Sequence, residues 1–192
     1  IPIRVYGEEL NLAENAKSAI LIEASTGEVM YQKNANERLA PASMTKIMSL
    51  ILIMENIENG NLKWNDIVVV SKNASSMGGS QIFLETNEMM TVEDLVKGIC
   101  IASGNDATVA LAEKIAGTEK AFVKLMNDKA KILGLKNTNF VNATGLDAEG
   151  HYSSAYDMSI MARELVRHEK ILEFSSIYED YLRKNTAKKF WL

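Results

Sequence analysis

The residues of this sequence best suited to covalent chemistry are Ser43 and Lys46, in the run Ser43-Met44-Thr45-Lys46. A serine hydroxyl becomes a good nucleophile only when a neighbouring base takes its proton. Positions three apart share one face of a helix, so the Lys46 amine can be that base. At a helix N-terminus, free N–H groups and the helix dipole stabilise a developing oxyanion and disfavour a charged ammonium. The pattern predicts acyl transfer, with Ser43 as nucleophile and Lys46 as base.

A second polar group, Ser103-Gly104-Asn105, lies between two runs with a helical pattern, 60 residues after Ser43. A hydroxyl and an amide on a short loop can relay a proton to a leaving group and hold a substrate amide. Ser71-Lys72-Asn73 has the same Ser-x-Asn spacing, but it follows a strand-like run and we expect a turn there. Ser-x-x-Lys alone is a weak signal, since about one chance match is expected in a chain this long. The two groups together are more specific.

The remaining reactive side chains predict no other chemistry. His151 and His168 lie in no Gly-x-Ser-x-Gly sequence and have no metal-ligand spacing, so we expect surface or capping roles. Cys100 is the only cysteine and lies in an apolar helical run, which favours a buried structural thiol. We interpret Asp157, at a helix start, as a capping or structural acid rather than a catalytic one. We expect no metal and no cofactor.

Composition bounds the class of protein. The chain has 192 residues, 47% of them hydrophobic, and a net charge of -4, which predicts a folded core and no nucleic-acid partner. Its apolar runs are too short to cross a bilayer. Periodicity, turn residues and caps predict a β-hairpin near the N-terminus and a mainly helical middle. The predicted elements are a hairpin over 18–23 and 29–33, a helix over 42–57, strands at 66–70 and 82–84, helices opened by Thr91, Asp106, Thr118 and Ser153 or Ser154, and a loop over 137–150.

With these motifs in this order, the sequence resembles the low-molecular-weight penicillin-binding proteins, the serine D-alanyl-D-alanine carboxypeptidases. The likeness covers nearly the whole chain and is more specific than either short motif. It runs through Ala24 to Val29, Pro41 to Lys46, Ile101 to Ala107, Asn137 to Gly145, and Ser154 to Met158.

The resemblance implies an α/β (α+β) chain with a β-lactamase/transpeptidase-like fold. It would have a helical subdomain and an antiparallel sheet of which only the N-terminal hairpin is clearly present. We expect residues 1–192 to be one incomplete domain: hairpin and nucleophile helix over 1–60, a mainly helical region over 61–170, and the start of a return to the sheet over 171–192.

The resemblance also implies a function. It makes Ser43 the acylated nucleophile, Lys46 its base, Ser103 the proton relay and Asn105 a substrate-amide anchor. The implied substrate is the pentapeptide stem of peptidoglycan, and β-lactams are the implied covalent inhibitors. The implied location is the extracytoplasmic side of a bacterial membrane, with a signal peptide already removed.

One departure limits that expectation: the sequence contains no Lys-Thr-Gly, the third motif of the family. That motif would supply a lysine for the substrate carboxylate and one oxyanion donor, whose loss typically costs ~3 kcal/mol of transition-state stabilisation. We therefore expect weak or no turnover by these residues alone, and a hairpin edge open to pairing with another chain or covered by a terminal helix. A β-lactamase-like hydrolase and a non-catalytic relative that binds peptidoglycan or a partner are the alternatives. The sequence contains no Glu-x-x-Leu-Asn segment after the second motif, which commonly supplies the water-activating acid of a β-lactamase.

Overall fold

The computed structural model describes residues 12–192, in which short antiparallel strand pairs surround a helical core. A 3-10 turn over Ala42–Thr45 leads directly into the first long helix. The strands are β1 (Ala19–Ile22), β2 (Val29–Lys33), β3 (Ile67–Val69), β4 (Met89–Thr91), β5 (Tyr181–Leu182) and β6 (Phe190–Trp191). The helices are α1 (Lys46–Glu58), α2 (Lys72–Ser75), α3 (Val92–Ala102), α4 (Asn105–Ala116), α5 (Glu119–Ile132), α6 (Ala155–Leu165) and α7 (Glu169–Ser175).

Helix α1 is the centre of the core because it is apolar around most of its circumference. Met48, Ile51, Ile53 and Met54 are fully or almost fully buried, and α1 packs against α4, α5 and α6. A helix with this composition is stable in water only when other elements cover it on several sides. The Lys129 ammonium on α5 reinforces the arrangement by pairing with carboxylates on α1 and α6. The first residues of α1 are therefore held on a rigid, buried support.

The N-terminal hairpin predicted from the sequence is confirmed. Strands β1 and β2 pair antiparallel, with a bulge between Leu21 and Ile22. Arg163 of α6 donates from Nε to the carbonyl of Ala24 at 2.7 Å and from Nη2 to that of Ser25 at 2.6 Å, which ties the hairpin turn to the helix. Glu23 accepts hydrogen bonds from the same turn, and these lower the pKa of its carboxyl to about 2.

Besides the hairpin, the structure has two further strand pairs, and the sequence predicted only β3 among their four strands. β3 pairs with β4, and β5 pairs with β6, each as a separate two-stranded sheet. The predicted strand over 66–70 corresponds to β3, whereas the one over 82–84 is wrong. Phe83 has a φ of +55°, a left-handed conformation that interrupts an extended strand.

Side-chain caps open three of the helices at the residues that the sequence indicated. Thr91, Thr118 and Ser154 each accept a hydrogen bond from the backbone N–H three residues later. Such a cap typically contributes ~1 kcal/mol to helix stability. No helix in residues 12–192 is long and apolar enough to cross a membrane.

Candidate active site

Ser43 and Lys46 meet at the junction between the 3-10 turn and α1. The ammonium or amine Nζ of Lys46 lies 3.2 Å from Ser43 Oγ, within hydrogen-bond reach. Ser43 itself is exposed, so its hydroxyl is open to a substrate. The predicted helix began one turn too early, because residues 42–45 form a 3-10 turn rather than α-helix. The three-residue spacing still brings the two side chains together.

Lys46 is 4% exposed, and no carboxylate pairs with it in the part of the chain that the structure describes. Its Nζ donates to the carbonyl of Thr144 at 2.9 Å as well as to Ser43. Burial disfavours the charged form and lowers the pKa of Lys46 from 10.5 to about 8. An amine with that pKa is neutral often enough near pH 7 to take a proton from Ser43.

The loop over 139–146 lies against the Ser43 turn and completes the surroundings of Lys46. The Ala143 carbonyl accepts a hydrogen bond from Ser49 Oγ at 2.7 Å. Gly145 has a φ of +89°, and a Cβ built on it would lie 1.8 Å from the carbonyl oxygen of Ala42. Only glycine allows this backbone approach. The sequence predicted a loop here but not its contact with the turn that carries Ser43 and with the start of α1.

Asn142 organises the loop from within. Its Oδ1 accepts the N–H groups of Thr144 at 3.1 Å and Gly145 at 2.7 Å, and its amide donates to the Leu146 carbonyl at 2.7 Å. An asparagine that bonds to the backbone two and three residues on forms a compact turn. The Asn-x-x-Gly spacing was the available sequence signal for this turn.

Ser103 lies in the turn between α3 and α4 and lines the same cavity as Ser43 and Lys46, a space of about 370 Å³. Its φ is +53°, and the turn carries hydrogen bonds from the Ser103 N–H to the Ile99 carbonyl and from the Gly104 N–H to the Gly98 carbonyl. This is the Schellman ending of a helix, in which glycine usually takes the left-handed position. Here a serine takes it, so a residue with a hydroxyl lines the cavity that Ser43 and Lys46 also line.

Asn105, the predicted substrate anchor, is 3% exposed and is not among the residues that line this cavity. Its Nδ2 donates to the Gly78 carbonyl at 2.7 Å, and its N–H donates to the Ser80 carbonyl at 2.7 Å. Its Oδ1 is buried without a hydrogen-bond partner among the described residues. Asn105 therefore holds the 78–80 segment near the site, and a role with substrate stays a prediction.

Asp106 holds the neighbouring segment and was missed by sequence reasoning. It is fully buried, and its carboxylate accepts the N–H groups of Ile82, Leu84 and Ala107 at distances of 2.9 to 3.2 Å. A buried carboxylate is tolerated when several donors surround it. Asp106 thus fixes the irregular 82–84 stretch against the start of α4.

The sequence also predicted roles for the two histidines, Asp157, Cys100 and the Ser71 run. For His151 and His168 we expected surface or capping roles. A surface position is wrong for both, because they are 7% and 8% exposed, while His168 occupies the N-cap position of α7 without a side-chain capping bond. Asp157 has the expected structural role: it accepts from the Asn137 N–H at 2.7 Å. Cys100 is half-buried rather than fully buried, and burial raises the pKa of its thiol to about 12. Ser71 caps α2 by accepting from the Ala74 N–H.

The geometry fits the family that the sequence resembled. The D-alanyl-D-alanine carboxypeptidase family model matches residues 7–192. The chain belongs to this family. It is 66% identical over 181 residues to the D-alanyl-D-alanine carboxypeptidase DacF of Bacillus subtilis, covering 94% of this chain and 46% of DacF. The chain thus spans about half the length of that relative.

Solved structures show the same fold. The D-alanyl-D-alanine carboxypeptidase DacD from Francisella tularensis superposes with a TM-score of 0.90 at 34% identity, over 100% of this chain and 46% of that one. Penicillin-binding protein D2 from Listeria monocytogenes, solved in its ampicillin-bound form, has a TM-score of 0.78 at 28% identity. That match covers 91% of this chain and 70% of the Listeria chain. The expected α+β penicillin-binding fold is therefore confirmed.

Proposed function

We propose that the protein is a serine D-alanyl-D-alanine carboxypeptidase that trims the pentapeptide stem of peptidoglycan on the extracytoplasmic side of a bacterial membrane. The observation that carries this proposal is the Ser43–Lys46 contact, in which an exposed hydroxyl lies 3.2 Å from a buried amine. Family membership and the identity with DacF support the reaction and the substrate class.

The proposed reaction begins with neutral Lys46. Its Nζ takes the proton of Ser43 Oγ as the oxygen attacks the carbonyl carbon of the penultimate D-alanine. When the C–N bond breaks, the Ser103 hydroxyl gives its proton to the nitrogen of the departing D-alanine and takes one from the Lys46 ammonium, which returns to the neutral amine. The product is an ester between Ser43 and the shortened stem, and water then hydrolyses it. A β-lactam would acylate Ser43 by the same attack, with its ring C–N bond breaking, and the ampicillin-bound Listeria relative supports that expectation.

Turnover by these 192 residues is proposed to be slow. No Lys-Thr-Gly occurs in the sequence, and the buried Asn105 makes its hydrogen bonds to the 78–80 segment. Acylation needs the nucleophile and its base, whereas rapid turnover also needs an oxyanion site and a partner for the substrate carboxylate. We therefore propose that acylation by a reactive β-lactam is faster than release of D-alanine.

A labelled penicillin with intact-protein mass spectrometry tests this proposal. We expect a stoichiometric covalent adduct that is lost in Ser43→Ala and strongly slowed in Lys46→Met. Ser71→Ala and Lys72→Met are the matched controls, because these residues belong to the competing Ser-x-Asn run and lie outside the cavity. Both controls should keep the adduct. An adduct that survives Ser43→Ala, or a folded protein that never forms one, would refute the assignment.

We also propose that the free edge of β1 pairs with a strand from another chain. Within residues 12–192, β1 hydrogen-bonds to β2 and to no other strand. Beside it lies an apolar groove of about 600 Å³ whose lining includes Ile20, Ile22, Ile47 and Met158. An open strand edge next to apolar surface favours strand addition. Light scattering and hydrogen exchange test this: a monomer in which the β1 amides that are not bonded to β2 exchange freely would contradict it.

A further inference from the structure

His151 is buried, yet the proposed reaction does not use it. Its ring contacts two parts of the molecule that are far apart in sequence. Nδ1 lies 3.0 Å from the backbone nitrogen of Val141, and Nε2 lies 2.8 Å from Thr45 Oγ1. Thr45 is fully buried and stands between Ser43 and Lys46. A buried imidazole with both nitrogens engaged holds these two segments at a defined separation.

The partners of the ring determine its protonation state. The Val141 N–H can only donate, so Nδ1 must accept and carries no proton. The proton of the neutral ring is therefore on Nε2, which donates to Thr45 Oγ1. Burial lowers the pKa of His151 from 6.5, partly opposed by the charge of Asp147, which agrees with a neutral ring at pH 7.

We propose that His151 is a positioning residue for acylation, whose Nε2–H···Thr45 hydrogen bond sets the Ser43 turn against the loop that holds Lys46. This inference rests on the proposed function of Ser43 and Lys46.

Three polar contacts join the 139–151 segment to the Ser43 turn and the start of α1, and the His151 contact is the one made to the turn itself. The other two join Thr144 O to Lys46 Nζ and Ala143 O to Ser49 Oγ. If the His151 contact is lost, Thr45 can rotate or shift, and the turn that carries Ser43 loses its hydrogen bond to this segment while Lys46 keeps its bond to Thr144 O. The Ser43–Lys46 distance is then less well fixed. Displacing a reacting group by about 1 Å can slow a reaction by about a hundredfold. His151 acts through Thr45 and does not touch the reacting atoms.

Two substitutions of His151 distinguish the effect of its hydrogen bond to Val141 from that of its hydrogen bond to Thr45. His151→Asn keeps a polar atom at the position of Nδ1 for Val141 but does not reach Thr45. His151→Gln places an amide N–H at the reach of Nε2 and can restore the bond to Thr45. We expect His151→Asn to slow β-lactam acylation by about tenfold to a hundredfold, and His151→Gln to recover most of that loss. Equal rates for wild type and His151→Asn, or equal losses in both variants, would overturn the proposal.

Substitutions of Thr45 test the same hydrogen bond and leave His151 unchanged. Thr45→Val keeps the shape and removes the hydroxyl, whereas Thr45→Ser keeps the hydroxyl. We expect slow acylation in the valine variant and near wild-type acylation in the serine variant. Combining Thr45→Val with His151→Asn should slow acylation no further than the worse single change, because both break one hydrogen bond. Fully additive losses would overturn the shared-bond assignment.

Nitrogen-15 NMR of the two histidines distinguishes failure of this inference from failure of the proposed function. A wild-type protein that forms no adduct refutes the function, while the His151 ring can still be examined. We expect a neutral ring with the proton on Nε2 at pH 7, and a changed Nε2 shift in Thr45→Val. His168→Gln assigns the signals by removing the other histidine. A proton on Nδ1 would overturn the inference whatever the acylation result.

Discussion

The two serine turns that face the cavity are built in opposite ways. The Ser43 turn and the start of α1 are held from outside, by the 139–151 segment about a hundred residues away in sequence, which contacts Thr45, Lys46 and Ser49. The Ser103 turn is held by its own helix, through hydrogen bonds that span four to six residues. Both contain a non-glycine residue with positive φ, Ala42 at +49° and Ser103 at +53°.

This difference shows how each turn can be perturbed. A left-handed conformation costs an L-residue roughly 1–2 kcal/mol, and it persists where surrounding structure holds it. At Ser103 the helix ending alone requires that conformation. At Ala42 the surroundings include the Gly145 backbone, so changes in the distant loop should reach Ser43 and leave Ser103 in place.

Gly145→Ala should produce the largest effect. The new Cβ would collide with the Ala42 carbonyl, and φ at this position is +89°. We expect the free energy of unfolding to fall by about 2–4 kcal/mol, with loss of acylation, measured by urea titration and labelled penicillin.

Gly134→Ala is the matched control for that substitution. Its φ is +72°, but no atom lies within 4 Å of the added Cβ. We expect this variant to lose only about 1 kcal/mol and to keep its acylation rate. If both variants lose the same stability, the close approach of the loop to the Ser43 turn is not what restricts position 145.

The pH dependence of acylation tests the Ser43 side of the comparison, because Lys46 follows the Ser43 turn directly and is the titrating group there. In the proposed reaction only the neutral amine accepts the Ser43 proton, and burial lowers the Lys46 pKa to about 8. The acylation rate should therefore rise about tenfold per pH unit below pH 8 and level off above it. Stopped-flow acylation between pH 6 and 9.5 measures this. A rate that still rises tenfold per unit at pH 9.5 would show an unperturbed lysine.

Ser103→Gly should have the smallest effect on stability. It should stabilise the protein, whereas Gly145→Ala destabilises it. Glycine accepts the +53° conformation without strain, so we expect the free energy of unfolding to increase by about 1 kcal/mol while acyl transfer slows. Ser103→Ala removes the same hydroxyl but keeps the strain. Equal stability of the two variants in thermal unfolding would mean that Ser103 is not strained.

Local features were predictable from the sequence because they depend on residues that are close together along the chain. The hairpin, the caps at Thr91, Thr118 and Ser154, and the apolar helix after Lys46 each follow from residues within a few positions. The contact between Ser43 and Lys46 follows from their spacing in the same way. The left-handed Phe83 and the burial of His151 were not predictable, since neither has a periodic or turn signal of its own.

The sequence by itself determined which residues could form the acylating pair and which family the chain resembles, because motif spacing and order are properties of the chain. Only the tertiary structure decided that Lys46 is buried, that Thr144 O is its second partner, and that His151 bonds to Thr45. Those contacts join residues about a hundred positions apart. Their energies depend on desolvation and on directed hydrogen bonds, which arise only when the loop and α1 pack together.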